Sequence, residues 1–177
     1  GEITKVLLHL YGFRAYGMSR DTASTPEVYL EVKTGGATTC WWTPCLPDRF
    51  ANCRFLALVR NLLVREDEGT LYLLDGAPRC WLEEGPGLEI VNAPTYFGRV
   101  SLQDSYRADL GEIHCTVRLP DRSPAAQTLL RLRHPTAATL QRVTINGQPW
   151  ADFDSAGQRI RLPQSSQEIV VTAAYGK

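Results

Sequence analysis

The chain has 177 residues, of which 44% are hydrophobic and 21% are charged, a composition typical of a folded globular protein. Nineteen basic residues balance nineteen acidic ones, so the sequence predicts neither nucleic acid nor an anionic membrane surface as a partner. No stretch reaches the roughly 20 consecutive apolar residues that a membrane-spanning helix needs.

The N-terminus lacks the basic and apolar regions of a secretion signal. A glycine at position 1, ahead of an apolar helix, is typical of the residue that tag cleavage leaves behind. We therefore expect the chain to be a segment of a longer polypeptide. For that parent protein, the sequence leaves periplasmic, extracellular and cytoplasmic locations open.

The first predicted element is a helix over residues 3–18. Apolar side chains recur along it at helical spacing, and Leu8, Phe13 and Tyr16 add apolar bulk on its other faces. A helix that is apolar nearly all round needs cover on two sides. We therefore expect it to contact more than one neighbouring element.

A short strand and a second helix follow. Residues 27–33 alternate with period two before the turn at Gly35-Gly36, which predicts one strand. Asp48 follows two prolines and is predicted to cap the N-terminus of a helix that runs to about Arg65. This helix carries one broad apolar face and a smaller apolar stripe opposite. Both helices are therefore predicted to lie between the following strands and something else.

From residue 70 onward, short segments with alternating hydrophobicity replace the helical period, which predicts strands buried on one face only. Asn146-Gly147 between two such segments predicts a hairpin with a primed turn. The predicted strands are residues 70–74, 88–91, 99–102, 111–119, 128–133, 141–145, 159–162 and 168–174.

The predicted fold class is α+β, mainly β: an antiparallel β-sandwich with two N-terminal helices. Residues 1–68 are predicted to form the helical segment with its short β-element, as the end of a truncated helical domain of the toroid type. Residues 69–177 are predicted to form the sandwich. We expect Trp81 and Trp150, which follow turn signals, to anchor its packing.

The five cysteines are an odd number, so at least one thiol is unpaired. We expect them mainly as small buried hydrophobic residues, with a disulfide between Cys40 and Cys45 as the alternative. Their spacing matches no zinc template. The sequence therefore predicts no metal and no cofactor.

No catalytic constellation stands out in the sequence. The paired carboxylates fall at turns or helix ends, where solvated side chains are the usual occupants. His9, His114 and His134 lie away from any nucleophile motif and lack metal-ligand spacing. We therefore predict no catalytic residue and expect the chain by itself not to be an enzyme.

Two adjacent tryptophans are the strongest candidates for binding carbohydrate. Sugars bind flat apolar rings flanked by hydrogen-bonding groups, and Trp41 and Trp42 with Asp48 and Arg49 nearby fit that description. Because adjacent side chains in a strand point to opposite faces, one of the two rings is expected in the core.

A second pair of polar residues, Arg20 and Asp21, follows the first helix. The pair lies in the predicted loop of residues 19–26 and is a candidate for the rim of a cleft in the missing part of the helical domain.

Several segments together carry a family resemblance. They are YGFRAYGMSRDT (11–22), RNLLVRE (60–66), LYLL (71–74) with PRCWL (78–82), PTYFGRVS (94–101) and NGQPWADFD (146–154). In order and spacing they resemble the C-terminal end of bacterial glycoside-hydrolase-like proteins that consist of an (α/α)6 barrel followed by a β-sandwich. The resemblance covers almost the whole chain, which has Cys80 where the family commonly has alanine.

The resemblance implies that the first helices end a toroid, that the strands form its accessory sandwich, and that the catalytic acids lie upstream of this chain. The predicted function is therefore a non-catalytic C-terminal accessory domain of a carbohydrate-active enzyme. Its predicted partners are the upstream helical catalytic domain of the same polypeptide and carbohydrate. An autonomous carbohydrate-binding module and a protein-interaction domain remain as alternatives.

Overall fold

The computed structural model of the chain describes residues 2–19, 25, 32–34, 37–39, 48–83, 85–165 and 167–176. Most of the described secondary structure is strand, and the two α-helices lie toward the N-terminus. The predicted class, mainly β with two N-terminal helices, is confirmed. The chain divides into two compact units, residues 1–60 and 61–177.

The first unit begins with helix α1, Glu2–Gly12, which continues into a π-helical turn at Phe13–Gly17. The helix predicted over residues 3–18 is therefore confirmed. Strands β1, Val32–Thr34, and β2, Ala37–Thr39, form an antiparallel pair. Most of the strand predicted at residues 27–33 lies outside the described residues, and its end coincides with the start of β1.

Helix α2, Arg49–Leu63, begins as its sequence predicts. The Ala51 amide donates to Asp48 Oδ2 at 2.6 Å, and the Asn52 amide donates to the Asp48 carbonyl at 3.1 Å. Asp48 is therefore the N-cap, because its carboxylate satisfies an amide that has no partner within the helix.

The end of α2 differs from its prediction. The helix ends at Leu63 rather than near Arg65, and strand β3, Val64–Asp67, follows at once. Glu68 and Gly69 have φ values of 45° and 80°, and this tight turn leads into strand β4, Thr70–Leu73, which pairs with β3. Cross-strand pairing thus ends the helix before its apolar period does.

Nine further strands complete the sandwich: β5 (Glu89–Thr95), β6 (Gly98–Arg107), β7 (Glu112–Arg118), β8 (Gln127–Arg131), β9 (Thr139–Ile145), β10 (Gln148–Trp150), β11 (Phe153–Asp154), β12 (Arg159–Leu162) and β13 (Ile169–Gly176). They form a six-stranded sheet with the order β10-β9-β13-β7-β6-β5 and a five-stranded sheet with the order β11-β12-β8-β4-β3. The turn at Asn146 and Gly147 joins β9 to β10 with φ values of 50° and 78°, which confirms the primed hairpin.

One strand pair departs from the predicted antiparallel pattern. Strands β4 and β8 run parallel, with Leu71 beside Thr128, whereas every other described pair in the two sheets is antiparallel. Parallel neighbours need a long crossover connection. Here the chain provides it by passing through β5, β6 and β7 of the other sheet.

The core lies between the two sheets. In β7, Ile113, Cys115 and Val117 are almost fully buried while the residues between them are partly exposed, as the alternation predicts. Trp81 and Trp150 pack against this core as expected. Twenty-two buried residues make up the cluster, drawn from both sheets and the turns between them.

The cysteines follow their prediction only in part. Cys115 is buried in the core, whereas Cys53 and Cys80 are exposed, which contradicts the expected burial. Cys53 lies on an open side of α2, and Cys80 lies in a single 3-10 turn at Arg79–Leu82 whose Leu82 enters the core. Cys40 and Cys45 lie outside the described residues.

Candidate functional site

Asp48 and Arg49 are the only predicted carbohydrate contacts within the described part of the chain. Asp48 uses its carboxylate to cap α2, and Arg49 is exposed on the first turn of that helix. The other four candidates lie outside the described residues: Trp41, Trp42, Arg20 and Asp21.

The N-terminus of α2 is fastened to Thr25, which is fully buried. Asn52 Oδ1 accepts hydrogen bonds from the Thr25 amide at 3.0 Å and from its hydroxyl at 2.8 Å. The Asp48 amide donates to the Thr25 carbonyl at 2.9 Å. Asp48 Oδ2 and Asn52 Oδ1 therefore both accept hydrogen bonds from within the first unit.

An open apolar cleft of about 540 Å³ lies between α1 and α2. The rings of Phe13 and Phe55 stack in it with centroids 5.6 Å apart. The Arg54 guanidinium lies 4.9 Å from the ring centroid of Phe50 at one side. The remaining lining residues are Leu8, His9, Gly12, Ala51 and Leu58.

The chemistry of this cleft favours an apolar partner surface. Leu8 is 72% exposed and Phe50 is 66% exposed, although both are large apolar side chains on adjoining helices. Exposed apolar patches of this kind commonly mark contact surfaces for protein or membrane. Among the described residues, no helix is long and apolar enough to cross a membrane.

A second cavity, of about 630 Å³, opens at one end of the sandwich. Three rings line it, those of Tyr106 on β6, His134 after β8 and Tyr175 on β13. The centroid of the His134 ring lies 5.2 Å from that of Tyr106 and 4.8 Å from that of Tyr175. Residues 108–111 and 136–139 also line the cavity.

Hydrogen bonds fix the His134 ring. Tyr106 Oη lies 3.1 Å from Nε2, and Thr136 Oγ1 lies 3.1 Å from Nδ1. Burial, together with the nearby Arg79 guanidinium, lowers the pKa of His134 below its usual value. His134 is therefore neutral at pH 7 and acts as a hydrogen-bonded ring rather than a charged group.

Tyr175 is fixed in the same way. Its hydroxyl donates to the Leu132 carbonyl at 2.7 Å, and burial raises the pKa of its phenol. Together with the neutral His134, it gives the cavity an uncharged aromatic wall. Flat rings beside hydroxyl groups suit binding of a small polar molecule.

This ring cluster could not be found from sequence spacing. His134 was expected to lie away from any motif, and Tyr106 and Tyr175 are 28 residues before it and 41 after it in the chain. The three come together because β6 and β13 lie on either side of β7 in one sheet, while His134 follows β8 of the other sheet. An inward position at the end of each strand is the sole signal, and any core tyrosine shares it.

A carboxyl group lies within the core on β6. Asp104 is 2% exposed; its Oδ1 accepts from the Leu88 amide at 2.8 Å, while its Oδ2 is buried without a hydrogen-bond partner. Gly87 permits the close approach, since a Cβ there would lie 2.0 Å from the Asp104 carbonyl oxygen. Burial raises the pKa of Asp104 to about 6.

Asp104 is paired in register with Cys115 on β7. Burial, and next the Asp104 charge, raise the pKa of the Cys115 thiol, so the thiol is protonated and unreactive at neutral pH. Sequence patterning could have flagged Asp104, because it occupies an inward position after Val100 and Leu102. Among the described residues, no group of three His, Cys, Asp or Glu side chains is placed to hold a metal ion.

No protein-family model matches the chain, and no curated protein sequence matches it. Among solved structures, a glycoside hydrolase is 17% identical with a TM-score of 0.45, over 90% of this chain and 24% of that one. A GH127 β-arabinofuranosidase is 14% identical with a TM-score of 0.38, over 89% of this chain and 26% of that one. The chain thus spans about a quarter of these two glycoside hydrolases. At these scores the likeness by itself assigns no function.

Proposed function

We propose that this chain is the non-catalytic C-terminal part of a carbohydrate-active enzyme and supports an upstream helical catalytic domain of the same polypeptide. In this proposal α1 and α2 are the last helices of that domain, and the sandwich is its accessory module. The sequence resemblance of residues 11–22 and 60–66 to the end of an (α/α)6 barrel supports the assignment of the helices.

The uncovered apolar surface of the helices is the observation that carries the proposal. Four large side chains of the first unit are between 66% and 81% exposed: Leu8, Tyr16, Phe50 and Leu56. Burying one such side chain stabilises a protein by roughly 1.5–3 kcal/mol. A covering element that buried all four side chains would therefore stabilise the protein further.

The shape of the cleft favours a helix as the covering element. Two neighbouring helices with a groove between them accept the side-chain ridge of a third helix. The stacked Phe13 and Phe55 form the floor of such a groove, and Arg54 at its side offers a positive charge to an acidic residue on the partner.

The first test is the reading frame that encodes this chain. If the proposal holds, several hundred residues of helical hairpins precede Glu2. A frame without a helical domain, or hydrolysis of an oligosaccharide panel by this chain alone, would overturn it.

The second test compares the same substitution in two proteins. Phe50→Asp in the full polypeptide should lower Tm by ~4 °C or more, because the charge would be buried against the upstream domain. In this chain alone the same change should shift Tm little, since Phe50 is already exposed. Val91→Asp is the matched control, because Val91 is also 66% exposed but lies on β5 of the sandwich.

Two results would contradict this second prediction. Equal effects of Phe50→Asp in both proteins would show that the upstream domain does not cover α2. Concentration-dependent self-association of this chain that Phe50→Asp abolishes, together with no difference in the full polypeptide, would assign the cleft to a second copy.

A carbohydrate-binding module is the second candidate, and the aromatic cavity at the end of the sandwich favours it. Titration of oligosaccharides against tryptophan fluorescence tests it, with Trp41→Ala, Trp42→Ala and Tyr106→Phe as variants. A saturable response that either tryptophan variant abolishes would support binding at the predicted contacts. Loss in Tyr106→Phe alone would place binding at the cavity, and no response would exclude this function for the glycans tested.

A further inference from the structure

Four arginines lie on or beside the five-stranded sheet: Arg131 and Arg159 on its strands, Arg133 two residues after β8, and Arg79 in the 3-10 turn. Arg131 on β8 and Arg159 on β12 are cross-strand partners, on the face opposite the buried Leu130 and Ile160. Arg131 Nε donates to the Gly157 carbonyl at 2.9 Å, which fixes its guanidinium. The other two members, Arg79 and Arg133, lie close enough for their charges to act on this pair.

Asp75 is the main acidic partner of the cluster. Its Oδ1 accepts from Arg159 Nε at 2.9 Å and lies 3.8 Å from Arg131 Nη1. Arg79 takes other partners and donates to the His134 carbonyl at 2.6 Å and to Gln158 Oε1 at 3.1 Å. Three of the four guanidinium groups are therefore held by the protein itself.

Arg133 differs from the other three. It is 8% exposed, and its Nε is buried without a hydrogen-bond partner. Burial, followed by the charges of Arg131 and Arg79, lowers the pKa of its guanidinium to about 10. A buried cation facing like charges without a hydrogen bond is unfavourable in a folded protein unless a further group compensates for it.

The charges near Arg133 leave an excess of positive charge. Asp75 acts on both Arg131 and Arg133, and Asp154 acts on Arg131, so two carboxylates face four guanidinium groups among the described residues. Arg65 also approaches Asp75 Oδ2, at 3.8 Å, which spreads the charge of that carboxylate further. An anion would relieve this excess.

We propose that Arg133 and the three arginines around it, Arg79, Arg131 and Arg159, form a binding site for the carboxylate group of a small acid or an acidic sugar. A guanidinium presents two parallel N–H groups that match the two oxygens of a carboxylate. Arg133 supplies the unused donors, while the three fixed arginines supply a positive field that needs no rearrangement on binding. The proposal concerns the sandwich alone and does not depend on the proposed accessory function.

The test is a titration of this chain at low salt. Binding is monitored through the NMR signals of the arginine Nε–H groups. Glucuronate, acetate and glucose are the probes. Glucuronate should shift the Arg133 signal saturably, and glucose should not. Equal affinity for acetate and glucuronate would show that the carboxylate alone is recognised, whereas tighter binding of glucuronate would identify an acidic sugar as the ligand class.

Substitutions decide whether Arg133 makes the contact. Arg133→Gln should weaken glucuronate binding at least tenfold, and Arg133→Lys should weaken it less, because lysine keeps the charge but loses the paired donors. Arg118→Gln is the matched control, since Arg118 is 71% exposed and makes only a 3.5 Å ion pair with Glu168. It should leave binding unchanged.

Stability measurements separate a binding role from a structural one. Because Arg133→Gln removes no hydrogen bond and relieves repulsion, Tm should stay the same or rise. A large fall in Tm would show that Arg133 supports the fold instead, and would overturn the proposal. No saturable shift with either carboxylate, or unchanged binding in Arg133→Gln, would also overturn it.

Discussion

The two units of this chain differ in how completely they bury their large apolar side chains. The sandwich encloses a cluster of 22 residues, eighteen of which are at most 1% exposed. Among the described residues of the first unit, Leu10 is the one hydrophobic side chain that is buried. The sandwich thus has a fully enclosed hydrophobic core, whereas the helices leave large apolar side chains exposed.

Geometry explains the difference. A strand of period two exposes only one apolar face, and two facing sheets cover each other completely. A helix with apolar residues on several faces needs a neighbour on each of them, and a pair of helices covers only one stripe of each. Stability should therefore respond strongly to substitutions in the sandwich and weakly to those on the open helix faces.

The largest effect should come from a paired truncation of two leucines. Leu130→Ala, at a fully buried position, should lower the free energy of unfolding by about 2–5 kcal/mol, because it leaves a cavity between the sheets. Leu56→Ala, where the side chain is 67% exposed, should change it by less than about 0.5 kcal/mol. Urea denaturation measures both. Equal losses would mean that Leu56 is buried in solution and would contradict the difference in burial between the two units.

The second effect is a pH dependence that originates in the sandwich core. The pKa of Asp104 is raised from 3.8 to about 6, so the folded state holds its proton more tightly than the unfolded state does. The contribution of Asp104 to the free energy of unfolding therefore falls as pH rises from 3.8 to 6, and it stays low at higher pH. Asp104→Asn should remove the fall, on the order of 3 kcal/mol between pH 4 and pH 8.

Thermal unfolding of the unmodified chain and of Asp104→Asn across that pH range measures the difference in their pH dependence. A constant cost from the extra amide hydrogens of the asparagine cancels in the comparison. Asp109→Asn is the control, because this side chain is 64% exposed and lies in a loop. Parallel pH profiles for Asp104→Asn and the unmodified chain would contradict the prediction.

The smallest effect concerns the first unit. Asp48→Ala removes the cap of α2 and should destabilise this helix by about 1 kcal/mol. Amide hydrogen exchange should speed up in the first turns of α2 and stay unchanged in β7. An equal change in β7 would show that the two units unfold together and would contradict their separate stabilities.

Local signals along the chain predicted much of the fold. Alternation placed the buried residues of β7, the Asp48 cap placed the start of α2, and Asn146-Gly147 placed a primed turn. Each of these depends on residues within a few positions of one another. Strand β3 was missed because Val64, its one apolar residue, continues the smaller apolar stripe of α2, and only pairing with β4 shows that the helix has ended.

The candidate sites were much harder to predict. Among the residues that the structure describes, the predicted contact Asp48 serves as a helix cap, while neither the aromatic cavity nor the Arg133 cluster was predicted as a site. Both arise from residues far apart in the chain: His134 meets Tyr175, and Arg79 meets Gln158. A sequence pattern relates each residue only to its neighbours in the chain, so it does not predict contacts between distant residues.

The class of the fold, the alternation that builds the core and the excess of apolar surface on the helices were all predictable from the sequence. These follow from composition and short-range periodicity, which act within a strand or a helix turn. The parallel pairing of β4 with β8 and the gathering of Arg79, Arg131 and Arg159 near Arg133 became visible only in the tertiary structure. Those features depend on which strands become neighbours, and that choice is made by packing the whole core at once.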